Sequence, residues 1–207
     1  MKLFLASSFV ETAKLFKAKM GKIKGKKVIF IANASDMDKG VKWWVDIDRK
    51  AFADMGCTVA DTDLRVITKS ELKKLLGKSN VIHFCGGSTM HLISLIKDRG
   101  FDKLITEFVR KGKVVLTGSS AGSMIVAKDL SIEAHDADEK EFVGKAKDSK
   151  GLGLTNFLIM PHSNNKDFTD GYVDVVKNLP KYSQPLVFIY DNQAVWVEDG
   201  KMEIVSV

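Results

Sequence analysis

Short apolar runs rich in Val, Ile and Phe recur along the chain, separated by segments in which apolar positions repeat every three to four residues. The runs are KLFLAS (2–7), KKVIFIANA (26–34), NVIHFCGG (80–87), KVVLTGS (113–119), FLIMPH (157–162) and PLVFIYD (185–191). Each has the length and β-branched or aromatic content of a buried strand. Between them, 38–56, 68–78 and 88–112 carry helical periodicity, the last broken near Gly100, with Ser88 or Thr89 able to cap its start. Strands that read apolar throughout, alternating with helices, predict an α/β fold: a mainly parallel sheet with helices on both faces. The tail QAVWVEDGKMEIVSV reads as a terminal β-hairpin turning at Asp199-Gly200. Periodicity fails over 131–152, a charged stretch that predicts a long loop of the kind used as a lid or binding loop.

Composition narrows this picture. At 207 residues with 45% apolar content, 3 Pro and 16 Gly, the sequence reads as one globular domain over 1–207, with no linker and no repeat. Apolar runs fall short of the ~20 residues that span a bilayer, and the first residues are too short for a signal h-region, so a cytoplasmic protein with no membrane partner is expected. Cys57 and Cys85 show no metal spacing and no disulfide framework, and Cys85 reads as a small core residue. The net charge of +6 is concentrated in KLFKAKMGKIKGKK (14–27), which has no aromatic platform and no nucleic-acid motif. A solvated helix end and linker, rather than a nucleic-acid surface, is the reading there.

Candidate chemistry centres on KVVLTGSSAGSMIVAKDL (113–130). Here Gly118-Ser119-Ser120-Ala121-Gly122 fits G-x-S-x-G between a buried strand and a helix start, a setting that holds a serine at a tight turn with its hydroxyl exposed. Ser120 is the candidate nucleophile, with Ser119 and Ser123 left to packing or capping. A hydroxyl needs a base, and four histidines are available. His83 lies inside an apolar strand, His91 within a helix and His135 in the charged loop. His162 follows the run FLIM, where a strand would deliver it to the sheet edge that carries the elbow. A carboxylate should orient the imidazole: Asp191, at the end of the run PLVFIY, competes with Glu133, Asp136 and Asp138 of the loop. Gly86 and Gly87 follow another buried strand, so the Gly87 N–H can join that of Ala121 at a developing oxyanion. Neither Gly-rich segment continues into Gly-Lys-Ser/Thr, which excludes a Walker phosphate loop.

In this order, GGSTMHLI, GSSAGSMIVA, GLGL…FLIMPH and IYDNQAVWV resemble the dipeptidase E and cyanophycinase family of serine peptidases over nearly the whole chain. The resemblance implies a three-layer αβα fold like that of class I glutamine amidotransferase domains, with Ser in place of Cys at the elbow. It implies Ser120 as nucleophile, His162 as general base, and Gly87 with Ala121 as oxyanion donors. Where the family usually has a Glu, this sequence has Asp191, and Asp136 and Asp138 stand as alternates. Dipeptidase E favours an N-terminal aspartate, with an arginine after the base expected to hold it. This sequence has no Arg after Arg110, and Lys166 is the cation nearest that place. Ser88 and Lys166 are the residues expected to touch substrate.

These readings lead to a serine peptidase of short peptides acting through an acyl-enzyme, needing no metal and no organic cofactor, as a monomer or homodimer. An esterase or amidase on the same residues, and a catalytically silent small-molecule-binding member of the fold, are the alternatives.

Overall fold

Along the first strand, β1 (Lys2–Ala6), Leu3 and Leu5 face one side and Phe4 and Ala6 the other, and all four are buried. Both faces of the sheet must therefore be covered. The computed structural model, which describes residues 1–135, 139 and 148–207, covers them with two helical layers.

Leu3 and Leu5, with Ile29 and Ile31 of β2 (Lys27–Ile31) and Ile82 and Phe84 of β4 (Val81–Phe84), pack under α3 (Lys69–Lys78), α4 (Thr89–Asp98) and α5 (Asp102–Arg110). On the opposite face, Phe4, Val28, Phe30, Val81 and Cys85 pack under α1 (Phe9–Met20) and α2 (Trp43–Asp54). Period-two alternation thus sorts each strand between two cores, and the result is an αβα sandwich. The α1/α2 layer is dense in aromatics: the Phe9 and Phe52 rings stack at 4.4 Å, and Phe16 meets Phe4 edge-on at 5.2 Å. Each such buried Phe contributes about 1.5–3 kcal/mol of transfer free energy.

The main sheet has seven strands in the order β3-β2-β4-β5-β1-β8-β9, where β3 is Thr58–Asp61, β5 Val115–Ser119, β8 Gln193–Glu198 and β9 Lys201–Ser206. The first five are parallel, while β8 runs antiparallel to β1 and forms the terminal hairpin with β9. Asp199 and Gly200 turn that hairpin, both at positive φ as a primed turn requires. Gly100, at φ 65°, separates α4 from α5, and the Ser88 hydroxyl caps α4 by accepting from the His91 N–H.

Two departures from the sequence reading concern strands. β3 has no counterpart among the apolar runs, because this edge strand is half exposed and carries Thr58 and Asp61. FLIMPH and PLVFIYD do not join the main sheet. They supply β6 (Leu158–Met160) and β7 (Leu186–Phe188), which pair parallel in a separate two-stranded sheet. Between them runs α7 (Lys166–Asn178), so the unit is one short β-α-β turn set against the large sheet. The predicted loop begins as a 3-10 helix over Ser131–His135, and 136–138 and 140–147 lie outside the described residues. Among the described residues no helix is long and apolar enough to cross a membrane.

The short helix α6 (Ala121–Met124) sits directly on the sheet backbone. A Cβ on Gly122 would lie 2.0 Å from the Phe84 carbonyl oxygen, and one on Gly118 would lie 2.3 Å from the Gly122 carbonyl. Both contacts are with backbone, so no side-chain rotation relieves them. Replacing Gly122 by Ala is expected to destabilise the protein by about 3 kcal/mol or more, read as a fall in the urea midpoint with the m-value unchanged.

Candidate active site

The carboxyl ends of β1, β4 and β5 meet at one place, and the residues that follow each strand build the site. After β5 the chain turns sharply at Ser120, whose φ of 50° and ψ of −118° are far from any relaxed conformation of a non-glycine residue. The Ser120 N–H donates to the carbonyls of Ala6 (3.1 Å) and Ser7 (2.9 Å), and the Ser123 hydroxyl donates to the Ala6 carbonyl at 2.7 Å. Ser119 accepts from the Phe9 N–H at the start of α1. The three serines therefore divide the work: Ser119 and Ser123 bind the turn to β1 and α1, and Ser120 alone presents its hydroxyl outward.

That hydroxyl lies 3.0 Å from His162 Nε2. On the other side of the ring, Nδ1 lies 2.5 Å from Asp191 Oδ1. With Nδ1–H donating to the carboxylate, Nε2 keeps the lone pair that accepts from Ser120 Oγ–H. His162 also has a positive φ of 56°. The small sheet makes this placement possible, because the Ser163 N–H donates to the Ile189 carbonyl and the Ile189 N–H to that of Met160. The ends of β6 and β7 are thus side by side, and an Asp is long enough to reach the imidazole.

Several residues that sequence reasoning did not single out hold this arrangement. Ser7 is fully buried; its hydroxyl accepts from the His162 N–H at 2.7 Å and donates to Asp191 Oδ1 at 2.9 Å. The Asp191 N–H donates to Asn164 Oδ1. Phe168 on α7 stacks on the His162 ring at 4.2 Å and 26°, and the Tyr172 hydroxyl donates to the Pro161 carbonyl. No local motif marks Ser7, since its partners are 155 and 184 residues away. The one signal was its position directly after the first buried strand, where an α/β fold gathers its site residues.

The loop after β4 runs beside the elbow. A Cβ on Gly86 would lie 3.4 Å from Ser120 Cβ, and one on Gly87, whose φ is 139°, would lie 2.3 Å from the Ala34 carbonyl. Only glycine fits at 87. Among the described residues none accepts a hydrogen bond from the Gly87 N–H, and the Ala121 N–H, at the first position of α6, has no partner within that helix. Trp44 Nε1–H donates to the Gly86 carbonyl at 3.4 Å.

Among the described residues, the remaining sequence candidates lie apart from the Ser120–His162–Asp191 hydrogen bonds. Ser88 donates its hydroxyl to Glu139 at 2.8 Å while capping α4, so that hydroxyl is committed to the helix rather than turned toward a substrate. The same Glu139 carboxylate accepts from the N–H groups of Thr89 and Met90, a favourable place for a negative charge. Lys166 is exposed at the start of α7. Glu133 is buried in the 3-10 helix packed against α7, and Asp136 and Asp138 lie outside the described residues. His91 approaches Asp36 at 3.4 Å, and His83 is in the core.

Comparison with known proteins finds relatives along almost the whole chain. Residues 3–205 match the model of peptidase family S51. The uncharacterized peptidase PM1590 of Pasteurella multocida is 31% identical over 198 residues, covering 96% of this chain and 94% of that protein. The uncharacterized peptidase Lmo0363 of Listeria monocytogenes is 31% identical over 196 residues, covering 94% and 93%. A crystal structure from L. monocytogenes EGD-e that carries a peptidase E assignment superposes with a TM-score of 0.89 at 28% identity, covering 100% of this chain and 98% of that one. That of a peptidase from an acI-B1 actinobacterium shares the fold, with a TM-score of 0.69 at 17% identity over 100% and 87%. The family match across almost the whole sequence, with the relatives found at both levels, makes the chain a member of peptidase family S51 and a peptidase hydrolase.

Proposed function

We propose that this peptidase cleaves short peptides by covalent serine catalysis, with Ser120 as nucleophile, His162 as general base and Asp191 as the carboxylate that orients the base. The observation that carries this reading is the continuous hydrogen-bond chain from Ser120 Oγ through both ring nitrogens of His162 to Asp191. In acylation, Ser120 Oγ attacks the scissile carbonyl carbon as His162 Nε2 takes the hydroxyl proton. The resulting oxyanion is held by the N–H groups of Gly87 and Ala121. Collapse breaks the C–N bond, and the imidazolium returns its proton to the leaving amine. Water then adds to the acyl-enzyme, again losing its proton to His162, and the acid departs as Ser120 is regenerated.

Ser7 enters this scheme as a positioning residue. Its hydroxyl ties the backbone of the base to the carboxylate of the orienting acid, so both move as one unit against the elbow. Phe168 limits the ring to one plane. An acidic N-terminal residue on the substrate is supported by Lys166, the cation next to the base segment, although Lys lacks the bidentate fork of an arginine.

Incubating the protein with a dipeptide library that includes Asp-X and Glu-X members, and following released amino acids by mass spectrometry, tests the reading. Turnover is expected and should vanish in Ser120→Ala; turnover that persists in that variant would sink it. Asp191→Asn should lower kcat by about 10⁴-fold, the scale seen when the orienting acid of a Ser-His-Asp hydrolase is neutralised. Ser7→Ala should lower kcat by about 10- to 100-fold, since a hydrogen bond to a charged group is worth about 1.5–3 kcal/mol. Equal activity in Ser7→Ala and the parent would remove Ser7 from the mechanism.

A further inference from the structure

On the α1/α2 face of the sheet, away from the catalytic hydrogen-bond chain, three metal-ligating groups point into one place. His83 and Cys85 are two residues apart on and just after β4, so both side chains project to the same face, and Asp48 faces them from α2. Their ligand atoms all lie within 4.8 Å of one another, and all three residues are buried. His83 Nε2 is 3.7 Å from Asp48 Oδ2 and has no hydrogen-bond partner among the described residues. An orphaned ring nitrogen, a buried carboxylate and a thiol therefore share one locus inside an otherwise aromatic core of Phe9, Phe30 and Phe52.

From the metal-free side this arrangement is poorly compensated. Among the described residues Asp48 accepts one hydrogen bond, from the Val10 N–H at 3.1 Å, and a buried carboxylate with so little support is costly. The other ring nitrogen of His83 lies 3.5 Å from the Thr117 hydroxyl. If Nδ1–H donates there, the Nε2 lone pair faces the Asp48 carboxylate and repels it. A cation between the two removes that conflict, and the Thr117 contact becomes the outer hydrogen bond that fixes the tautomer of a metal-bound histidine.

We propose that Asp48, His83 and Cys85 bind a single thiophilic divalent cation, of which Zn²⁺ fits best. A point inside a triangle with edges no longer than 4.8 Å lies within about 2.8 Å of each corner, so modest inward shifts reach the ~2.0–2.3 Å of zinc bonds. The mixed N, S and O donor set suits zinc and disfavours Mg²⁺ and Ca²⁺, which take oxygen alone. Charge also balances: a carboxylate and a thiolate neutralise the ion, so the complex is less costly to bury than Asp48 alone. Cys85 binds as the thiolate, its proton being released on binding. The site clamps α2 to the end of β4, immediately before Gly86 and Gly87.

The test is metal content. The full chain is purified without chelator from cells grown with added zinc, and in parallel refolded from urea with Zn²⁺ or Co²⁺ so that a closed core cannot bar entry. One equivalent of zinc per chain is expected by elemental analysis, a thermal midpoint raised by Zn²⁺ and not by Mg²⁺, and thiolate-to-cobalt absorption in the Co²⁺ form. Cys85→Ala and Asp48→Asn should lose the bound metal and the cobalt band, while Cys57→Ser should keep both. Absence of stoichiometric metal from the parent protein by both routes would overturn the proposal, leaving Asp48 and His83 as a buried ion pair. Metal or cobalt absorption that survives in Cys85→Ala would overturn it equally, and the parent protein's metal content decides the matter even if a variant fails to fold.

Discussion

The carboxyl end of β1 is the constraint on which the site depends. There the Ser7 carbonyl, with that of Ala6, takes the N–H of Ser120 and fixes the strained elbow, while the Ser7 hydroxyl takes the N–H of His162 and gives its proton to Asp191. One fully buried residue thus joins the Ser120 turn of the large sheet to His162 and Asp191, which follow the strands of the small one. Positive φ at both Ser120 and His162 costs about 1–3 kcal/mol at each. Conformations of that kind persist only where surrounding contacts leave the chain no alternative, and β1 supplies those contacts. Gly122 against the Phe84 carbonyl and Gly87 against Ala34 complete the enclosure, since any side chain at either position would push the backbone away from Ser120.

The two-sheet construction explains how the short side chain of Asp191 reaches His162. The ladder between β6 and β7, extended by Ser163 and Ile189, brings the ends of these strands into register, and the backbone of Asp191 is held by Asn164. The carboxylate is carried to the imidazole by main-chain placement, and one fewer methylene suffices.

Much of this was legible in the sequence because it is encoded locally. Runs such as KVIFI and VIHF are apolar on both faces, which only a doubly covered parallel strand requires, and G-x-S-x-G between a strand and a helix start places Ser120 without further help. The break at Gly100 and the hairpin at Asp199-Gly200 follow from single residues. What escaped depends on contacts across the chain. β3 is an edge strand whose half-exposed pattern resembles a loop. FLIMPH and PLVFIYD read as members of the main sheet because strand character says nothing about which partner a strand takes. Ser7 is an unremarkable serine until its neighbours 155 and 184 residues away are known, and the approach of Asp191 to His162, 29 residues away, is likewise a long-range contact. The Asp48, His83 and Cys85 cluster escaped for a related reason: the ligands come from a strand and a distant helix, a spacing that no short zinc motif contains.

The most direct measurement is the rate at which a fluorophosphonate labels the intact protein, followed by mass and with the adduct located by peptide mapping. Covalent serine catalysis requires a single adduct on Ser120 that forms at least about 10²-fold more slowly in His162→Ala, because the hydroxyl then lacks its base. An adduct on another residue, or equal labelling rates in the folded parent and His162→Ala proteins, would contradict it.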